Sequence, residues 1–389
     1  MTPSSTRRRL RVVAAATLAC AVATVTVTPA ATGTEVISVD SSELSIPLLR
    51  GAAAVHRITY TSVDAQGRPV ETKANLYIPE KKRADGSVRL MAYAHGTIGL
   101  GPECSFGTRF NGSGRFDDWL GPWLESGYAL VIPEYAGLAD DSGHAYNHGD
   151  PAARNTIDAV RAARALYPEL GGQELAPGFV TDGGSQGGHT SVWVNHLLAT
   201  EPQYADETLV GTSVTSLPAD IGGYVGLINP LVPDVPVFES WRLTTYLAYL
   251  LAGMENAGVG ISDSPVFTDT ARSLVEPAKT VCYPNMEPVT AGIAPGSLVT
   301  RPLLGTEELA KLTKYAEVPD QGFGAPMLVQ QGGIDEVTPA SQTTDWVDRS
   351  RSAGANIDLR MYPTQGHGLS SDSETTALAW VEGLNWPAA

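Results

Sequence analysis

The chain has 389 residues, of which 43% are hydrophobic and 17% charged, and its formal net charge is -16. That balance belongs to a globular chain with a substantial core, not to a disordered, membrane-embedded or coiled-coil one. An acidic surface repels phosphate backbones, so no nucleic-acid partner is expected.

Arg7, Arg8, Arg9 and Arg11 open the chain with positive charge, and an apolar, Ala- and Thr-rich run follows from Val12 to Val27. Small residues then take over at Pro29-Ala30-Ala31, the pattern of a secretory signal peptide ending near residue 31. The apolar run is short for a membrane span, which sets cleavage above an uncleaved anchor. Thr17 stands where a lipoprotein signal prefers Leu, which speaks against a lipid on Cys20. Secretion is therefore expected, and Cys20 leaves with the signal. The mature chain keeps Cys104 and Cys282, an even pair in an oxidising compartment. One disulfide is the expectation and two buried thiols the alternative.

After a loose lead-in to about Leu49, residues 56–63 and 70–78 alternate apolar and polar side chains around a turn at Ala65-Gln66-Gly67-Arg68, which predicts a hairpin. Strands are then predicted at 88–94, 129–133, 178–181 and 209–214, separated by helices at 116–126, 150–167 and 186–199. The helix at 150 is read as capped by Asp150, with Pro151 in its first turn. From Ala219 to Pro319 the alternation breaks into a Pro- and Gly-rich stretch, in which Leu243–Met254 is the clearest helix. It resumes with a strand at 326–331, a helix at 340–353, a strand at 357–362 and a last helix at 374–382. Alternating strands and helices predict an α/β fold, a mostly parallel sheet covered by helices on both faces. The expected domains are 32–218 with 320–389 as the body and 219–319 as a largely helical cap, inserted between the sixth and seventh predicted strands. No repeat of solenoid period is present.

The most specific motif is Gly183-Gly184-Ser185-Gln186-Gly187-Gly188, a G-x-S-x-G between an apolar strand and a helix. On such a turn the serine hydroxyl is thrust out at the carboxyl edge of the sheet, with the Gln186 N–H at the positive end of the helix. A serine nucleophile needs a base. His367, between Gly366 and Gly368 after the last strand, is the candidate, and Asp335, in the loop after the strand at 326–331, is the acid that would orient it. Glu336 is the neighbouring alternative. Thr97, in His95-Gly96-Thr97 after the strand at 88–94, is expected to supply the second oxyanion N–H, with its hydroxyl as a further contributor. His95 is assigned a supporting place. His144 with His148 and His189 with His196 are spaced as metal pairs can be, but the first pair lies in a Gly/Asp-rich loop and no carboxylate stands near the second. No metal and no cofactor are expected.

At these residues the chain resembles the secretory lipase family, the lipase A type of fungi and actinobacteria, within the α/β-hydrolase superfamily. The resemblance rests on His95-Gly96-Thr97 with Gly99-Leu100-Gly101 and Cys104, and on Pro133-Glu134-Tyr135-Ala136-Gly137-Leu138 leading through His144-Ala145-Tyr146 to Asp158–Arg164. The Ser185, Asp335 and His367 motifs complete it. It implies an α/β-hydrolase fold, a helical cap over an acyl pocket, a Ser185–His367–Asp335 triad and a Cys104–Cys282 disulfide. Gly184 departs from the His or Tyr that many relatives carry before the serine. The expected activity is hydrolysis of a small-molecule or lipid ester by a monomer, with transient lipid contact through the cap and a preference for short to medium acyl chains. An acyltransferase or amidase using the same residues is the nearest alternative. A non-catalytic binding protein on a hydrolase scaffold is the distant one.

Overall fold

The computed structural model describes residues 34–40, 48–109, 114–233 and 241–388. The expected signal segment lies outside these residues. The strands are β1 (Val36–Asp40), β2 (Ala52–Val63), β3 (Pro69–Pro79), β4 (Arg89–Ala94), β5 (Tyr128–Pro133), β6 (Phe179–Gly184), β7 (Leu209–Thr215), β8 (Met327–Gly332) and β9 (Ile357–Tyr362). They form one sheet in the order β1-β2-β3-β5-β4-β6-β7-β8-β9. The β1, β2, β3 and β5 neighbours run antiparallel, and every pair from β5 to β9 runs parallel. The helices are α1 (Phe106–Arg109), α2 (Gly114–Glu125), α3 (Gly149–Leu170), α4 (Gln186–Thr200), α5 (Ile221–Gly226), α6 (Trp241–Asn256), α7 (Asp269–Thr280), α8 (Met286–Thr290), α9 (Glu307–Tyr315), α10 (Ala340–Ser352) and α11 (Asp372–Glu382).

The period of two along the central strands divides the core between the two faces of the sheet. Leu90 and Ala92 of β4, with Ala129 and Val131 of β5, pack under Ile157, Val160 and Leu166 of α3 and Val194 and Leu197 of α4. Their neighbours Met91, Tyr93, Leu130 and Ile132 face the other way, onto Trp123 and Leu124 of α2 and Ala377 and Val381 of α11. Both faces are covered, so β4, β5 and β8 read as almost unbroken apolar runs and bury nearly every residue.

The β2–β3 hairpin turns where expected. Asp64 Oδ1 accepts the N–H groups of Gln66 and Arg68, and Gly67 takes φ 73°. Three details differ from the sequence reading. Val36–Asp40, within the presumed lead-in, is an edge strand, so the helical insertion falls between the seventh and eighth strands of the sheet. Helix α3 starts at Gly149 after His148, and Asp150 lies inside its first turn instead of capping it. There its charge favours the helix N-terminus and pairs with Arg154 at 2.8 Å.

Among the described residues, the stretch between β7 and β8 holds α5, α7, α8 and α9 beside α6, which covers the helix expected at Leu243–Met254. Residues of α5, α6, α7 and α9 share an apolar cluster that includes Leu247, Tyr249, Leu250, Phe267, Leu274 and Leu312. A disulfide joins Cys104, beyond β4, to Cys282, just after α7, across 178 residues of sequence. It fastens this helical layer to the loop that carries Thr97.

Candidate active site

Ser185 lies between β6 and α4 with φ 55° and ψ -122°, a region that non-glycine residues avoid. The close packing around the turn explains its glycines. A Cβ on Gly187 would stand 1.8 Å from the Ala94 carbonyl oxygen, and one on Gly183 would stand 2.7 Å from the same atom. The strained turn is held from the next strand, where the Thr215 carbonyl accepts the Ser185 N–H at 2.9 Å. Asn147 and Ser216 are the other non-glycine residues at positive φ among the described residues, and both line cavities that reach Ser185.

Asp335 and His367 meet. Nδ1 of the imidazole lies 3.0 Å from Oδ2 and 3.2 Å from Oδ1 of the carboxylate. Oδ1 also accepts from the N–H groups of Val337 and Thr338, at 2.9 and 2.8 Å, and Oδ2 accepts from the Thr338 hydroxyl at 2.8 Å. Burial by itself would raise the Asp335 pKa, but the imidazole and the Thr338 donors outweigh it and hold the carboxyl below its ordinary value. An ionised carboxylate only accepts, so the imidazole proton sits on Nδ1 and Nε2 is left to act as a base. Glu336, the alternative, is exposed and offers only its backbone carbonyl, to the Tyr224 hydroxyl.

His367 and Ser185 line one cavity with Thr97, Ser216, Arg242 and Glu374. No hydrogen bond joins the Ser185 hydroxyl to His367 among the described residues; the two share the lining of that space. A second, narrower cavity reaches Ser185 from the helical layer and is lined by Ile221, Val225, Leu243, Leu247 and Leu250. The serine therefore stands where a roomier, more polar space meets a slimmer apolar one.

Thr97 is beside the serine, but its hydroxyl is engaged, 2.8 Å from the Tyr146 hydroxyl. Neither the Thr97 N–H nor the Gln186 N–H has an acceptor among the described residues. The Gln186 side chain turns away and donates to Nε2 of His144 at 2.7 Å. Burial pushes His144 down to about 3, which keeps it the neutral acceptor this bond requires. His95 is packed between the rings of Phe106 and Tyr135, and burial lowers its pKa too. His189 and His196 bond to the backbone carbonyls of Glu317 and Gln321, and His148 stacks on Tyr315. Among the described residues no three His, Cys, Asp or Glu side chains gather as metal ligands would.

Sequence reasoning missed Thr338, which fastens Asp335, and the His144–Gln186 and Tyr146–Thr97 contacts beneath the presumed oxyanion donors. The family-like segment around Glu134 proves to be scaffolding. This fully buried carboxylate accepts from the Phe106 and Gly107 N–H groups and pairs with Arg57 at 2.8 Å.

A mostly parallel sheet with helices on both faces, and a serine on a strained strand-to-helix turn at its carboxyl edge, defines an α/β-hydrolase. The secretory lipase family model matches residues 117–232, from α2 through the serine turn into the helical layer. The prolyl oligopeptidase family model matches residues 300–383, the part that carries Asp335 and His367. A secreted triacylglycerol lipase of Malassezia globosa is 25% identical over 360 residues, which are 85% of this chain and 70% of that one. Among solved structures, the ligand-bound rice cell wall degrading esterase of Xanthomonas oryzae superposes with a TM-score of 0.69 at 19% identity, covering 92% of this chain and 99% of the other. Candida antarctica lipase A gives 0.66 at 17% identity, with 94% and 86% covered. Over residues 117–232, then, the chain is similar to the secretory lipase family, and over most of its length it shares the fold of these esterases and lipases.

Proposed function

We propose that this chain is a secreted ester hydrolase in which Ser185 is the nucleophile, His367 the base and Asp335 the group that fixes and charges the imidazole. The observation that carries this is the Asp335–His367 pair, with Nδ1 3.0 Å from Oδ2, opening on the cavity that Ser185 shares. As His367 Nε2 takes the hydroxyl proton, Ser185 Oγ bonds to the ester carbonyl carbon, and the carbonyl electrons move onto its oxygen. The backbone N–H groups of Thr97 and Gln186 receive that oxyanion, and removing one such donor typically costs about 10²–10³ in turnover. The imidazolium returns its proton to the departing alcohol. Water, deprotonated by the same imidazole, then attacks the acyl-enzyme and releases the acid.

The apolar cavity under α5 and α6 suits the acyl chain, and the polar one beside His367 suits the alcohol. The layer 219–319 then acts as a cap that sets acyl length, short to medium because its cavity is the narrower. Leu227 and Leu231, 67% and 89% exposed on that layer, are fitted to transient contact with a lipid surface. The disulfide suits an oxidising compartment, in keeping with removal of residues 1–31.

The test is Ser185→Ala, assayed on p-nitrophenyl esters and with a fluorophosphonate probe. Loss of both turnover and labelling is expected, and full turnover by the variant overturns the reading. The prolyl oligopeptidase match favours one second reading, an amidase on the same residues. Its segment carries the acid and the histidine but not α5 and α6, which line the apolar cavity. Comparing acid release from matched esters and anilides separates the two.

A further inference from the structure

Two buried carboxyls stand together beside the site. Asp182 is on β6 just ahead of the serine turn and is 1% exposed; Glu374 is in the first turn of α11, just beyond the His367 loop, and is 4% exposed. Asp182 is in register with Tyr93 and so faces the α2 and α11 side of the sheet, where Glu374 meets Trp123 and lines a cavity with Tyr93, which brings the two carboxyls within reach of one another. Asp182 Oδ1 has no N–H or O–H donor among the described residues. Glu374 Oε2 has one long contact, from the Trp123 indole at 3.5 Å. Two ionised carboxylates are both acceptors and cannot bond, so a bond between them requires a proton on one.

We infer that Asp182 and Glu374 share one proton in a carboxylic acid–carboxylate hydrogen bond that fastens the His367 loop to the strand bearing Ser185. The inference rests on the assignment of Ser185 and His367 as nucleophile and base. Both carboxyls are positioning residues, acting through the two segments they join. The loop has a companion tie on its other side. Gln330 of β8 donates to the Ser373 carbonyl at 3.0 Å and accepts from Tyr362, at the end of β9, at 2.6 Å. The histidine loop is thus pinned where β9 ends and where α11 begins, and the acid pair is the pin nearest the serine strand.

The surroundings favour keeping the proton. Burial pushes the Asp182 pKa up to about 6 and pushes Glu374 well above its ordinary value, with Asp182 raising it further. Ser213 on β7 and Trp123 on α2 are neutral neighbours. Tyr93 of β4 and His95 just beyond it line the cavity that Glu374 also lines, the histidine held neutral by burial. Arg242, Tyr246 and Tyr283 line it from the helical layer, as does His367 from the loop itself. Asp372, the other acid in the first turn of α11, is exposed. Loss of the shared proton leaves two carboxylates repelling in a dry site. The loop then loosens, and kcat falls on the alkaline side with KM little changed.

The experiment compares the unchanged chain with Glu374→Gln, Glu374→Ala and Asp182→Asn, measuring kcat and KM on a p-nitrophenyl ester from acid to alkaline pH. The amide of Glu374→Gln donates to Asp182 without a titrating proton, and Asp182→Asn donates to Glu374 likewise. Both are expected to remove the alkaline decline of kcat. Glu374→Ala is expected to lose about tenfold or more in kcat at neutral pH, most of which the Gln variant restores. An alkaline limb in Glu374→Gln that overlays the unchanged chain overturns the inference, as does an Ala variant with undiminished kcat. Melting temperatures of Ser185→Ala and of Ser185→Ala combined with Glu374→Gln read the pair without turnover. Acids whose pKa rises on folding lose stability as pH rises above their unfolded values, so the single variant is expected to soften from about pH 4 upward and the double variant to soften less. Equal slopes overturn the pair even if Ser185 proves to be the nucleophile. Different slopes sustain it even if Ser185→Ala remains active.

Discussion

The Asp335 carboxylate spends both oxygens on the same two tasks: Oδ2 meets His367 Nδ1 at 3.0 Å, and Oδ1 meets it at 3.2 Å while accepting two backbone N–H groups. A carboxylate so held can neither rotate nor readily take a proton, and that fixes the imidazole tautomer. Asp335→Asn keeps the shape but presents an amide to Nδ1, which favours the wrong tautomer. The expected loss in kcat is about 10³–10⁴-fold, with KM within a few-fold. Steady-state kinetics on a short-chain p-nitrophenyl ester checks it, and a loss below tenfold would remove Asp335 from its assigned place.

The same residue sets an acid-side effect on stability. Its pKa is depressed in the folded chain, because the imidazole and Thr338 outweigh the opposing effect of burial. A group of this kind contributes stability that is present above its unfolded pKa, near 4, and lost as pH falls through the lower folded value. Melting temperature is therefore expected to fall as pH drops below about 4 in the unchanged chain, and to fall less steeply in Asp335→Asn. Parallel curves for the two proteins would contradict it.

Much of this site was legible in the sequence because its requirements are local. A serine on a strained turn needs Gly183 and Gly187 at fixed offsets, and a buried parallel sheet needs apolar runs such as Leu90–Ala94. What escaped depends on partners far along the chain. Val36–Asp40 is half exposed and reads as a strand only once β2 is beside it. Helices α7 and α8 carry Pro277 and Pro288, which argue for breaks, although Thr268 and Thr306 do accept from the N–H groups three residues on and so mark the starts of α7 and α9. The Asp182–Glu374 contact joins two segments with no shared sequence signal. The Gln186 side chain finds His144 only through the fold.

Gly187 offers a test of how tightly the serine turn is packed. A methyl group there would sit 1.8 Å from the Ala94 carbonyl oxygen, a backbone atom on the strand leading to Thr97. Neither side can yield without moving Thr97 or Ser185. Gly187→Ala is expected to destabilise the fold by about 1–3 kcal/mol, the range of an overpacked core, and to lower kcat together with the melting temperature. Differential scanning calorimetry checks the first part, and an unshifted transition would show that the turn has slack.

The disulfide gives a prediction independent of the chemistry. Cys104 and Cys282 close a loop of 178 residues, and cross-links over long loops act mainly by limiting the unfolded chain. Cys104→Ser with Cys282→Ser is expected to cost about 2–5 kcal/mol in urea unfolding, and reduction of the unchanged protein should reproduce the shift.

Acyl-chain preference should respond to the apolar cavity under α6. Leu247 and Leu250 line it and are almost fully buried, so their side chains bound the space that reaches Ser185 from the helical layer. Leu250→Ala removes methyl groups from that wall, with a stability loss of about 2–5 kcal/mol. It should also shift the optimum in a p-nitrophenyl series from acetate to palmitate toward longer chains. Leu247→Phe should shift it toward acetate. Each added methylene in an apolar pocket is worth about 1–3 kcal/mol in discrimination, so the two variants should diverge by at least tenfold in the octanoate-to-acetate ratio of kcat/KM. Alcohol preference, read with methyl and glyceryl esters of one acid, should stay unchanged in both, because the alcohol is assigned to the opposite cavity. A change in alcohol preference without a change in chain length would exchange the two cavities and leave the serine chemistry intact.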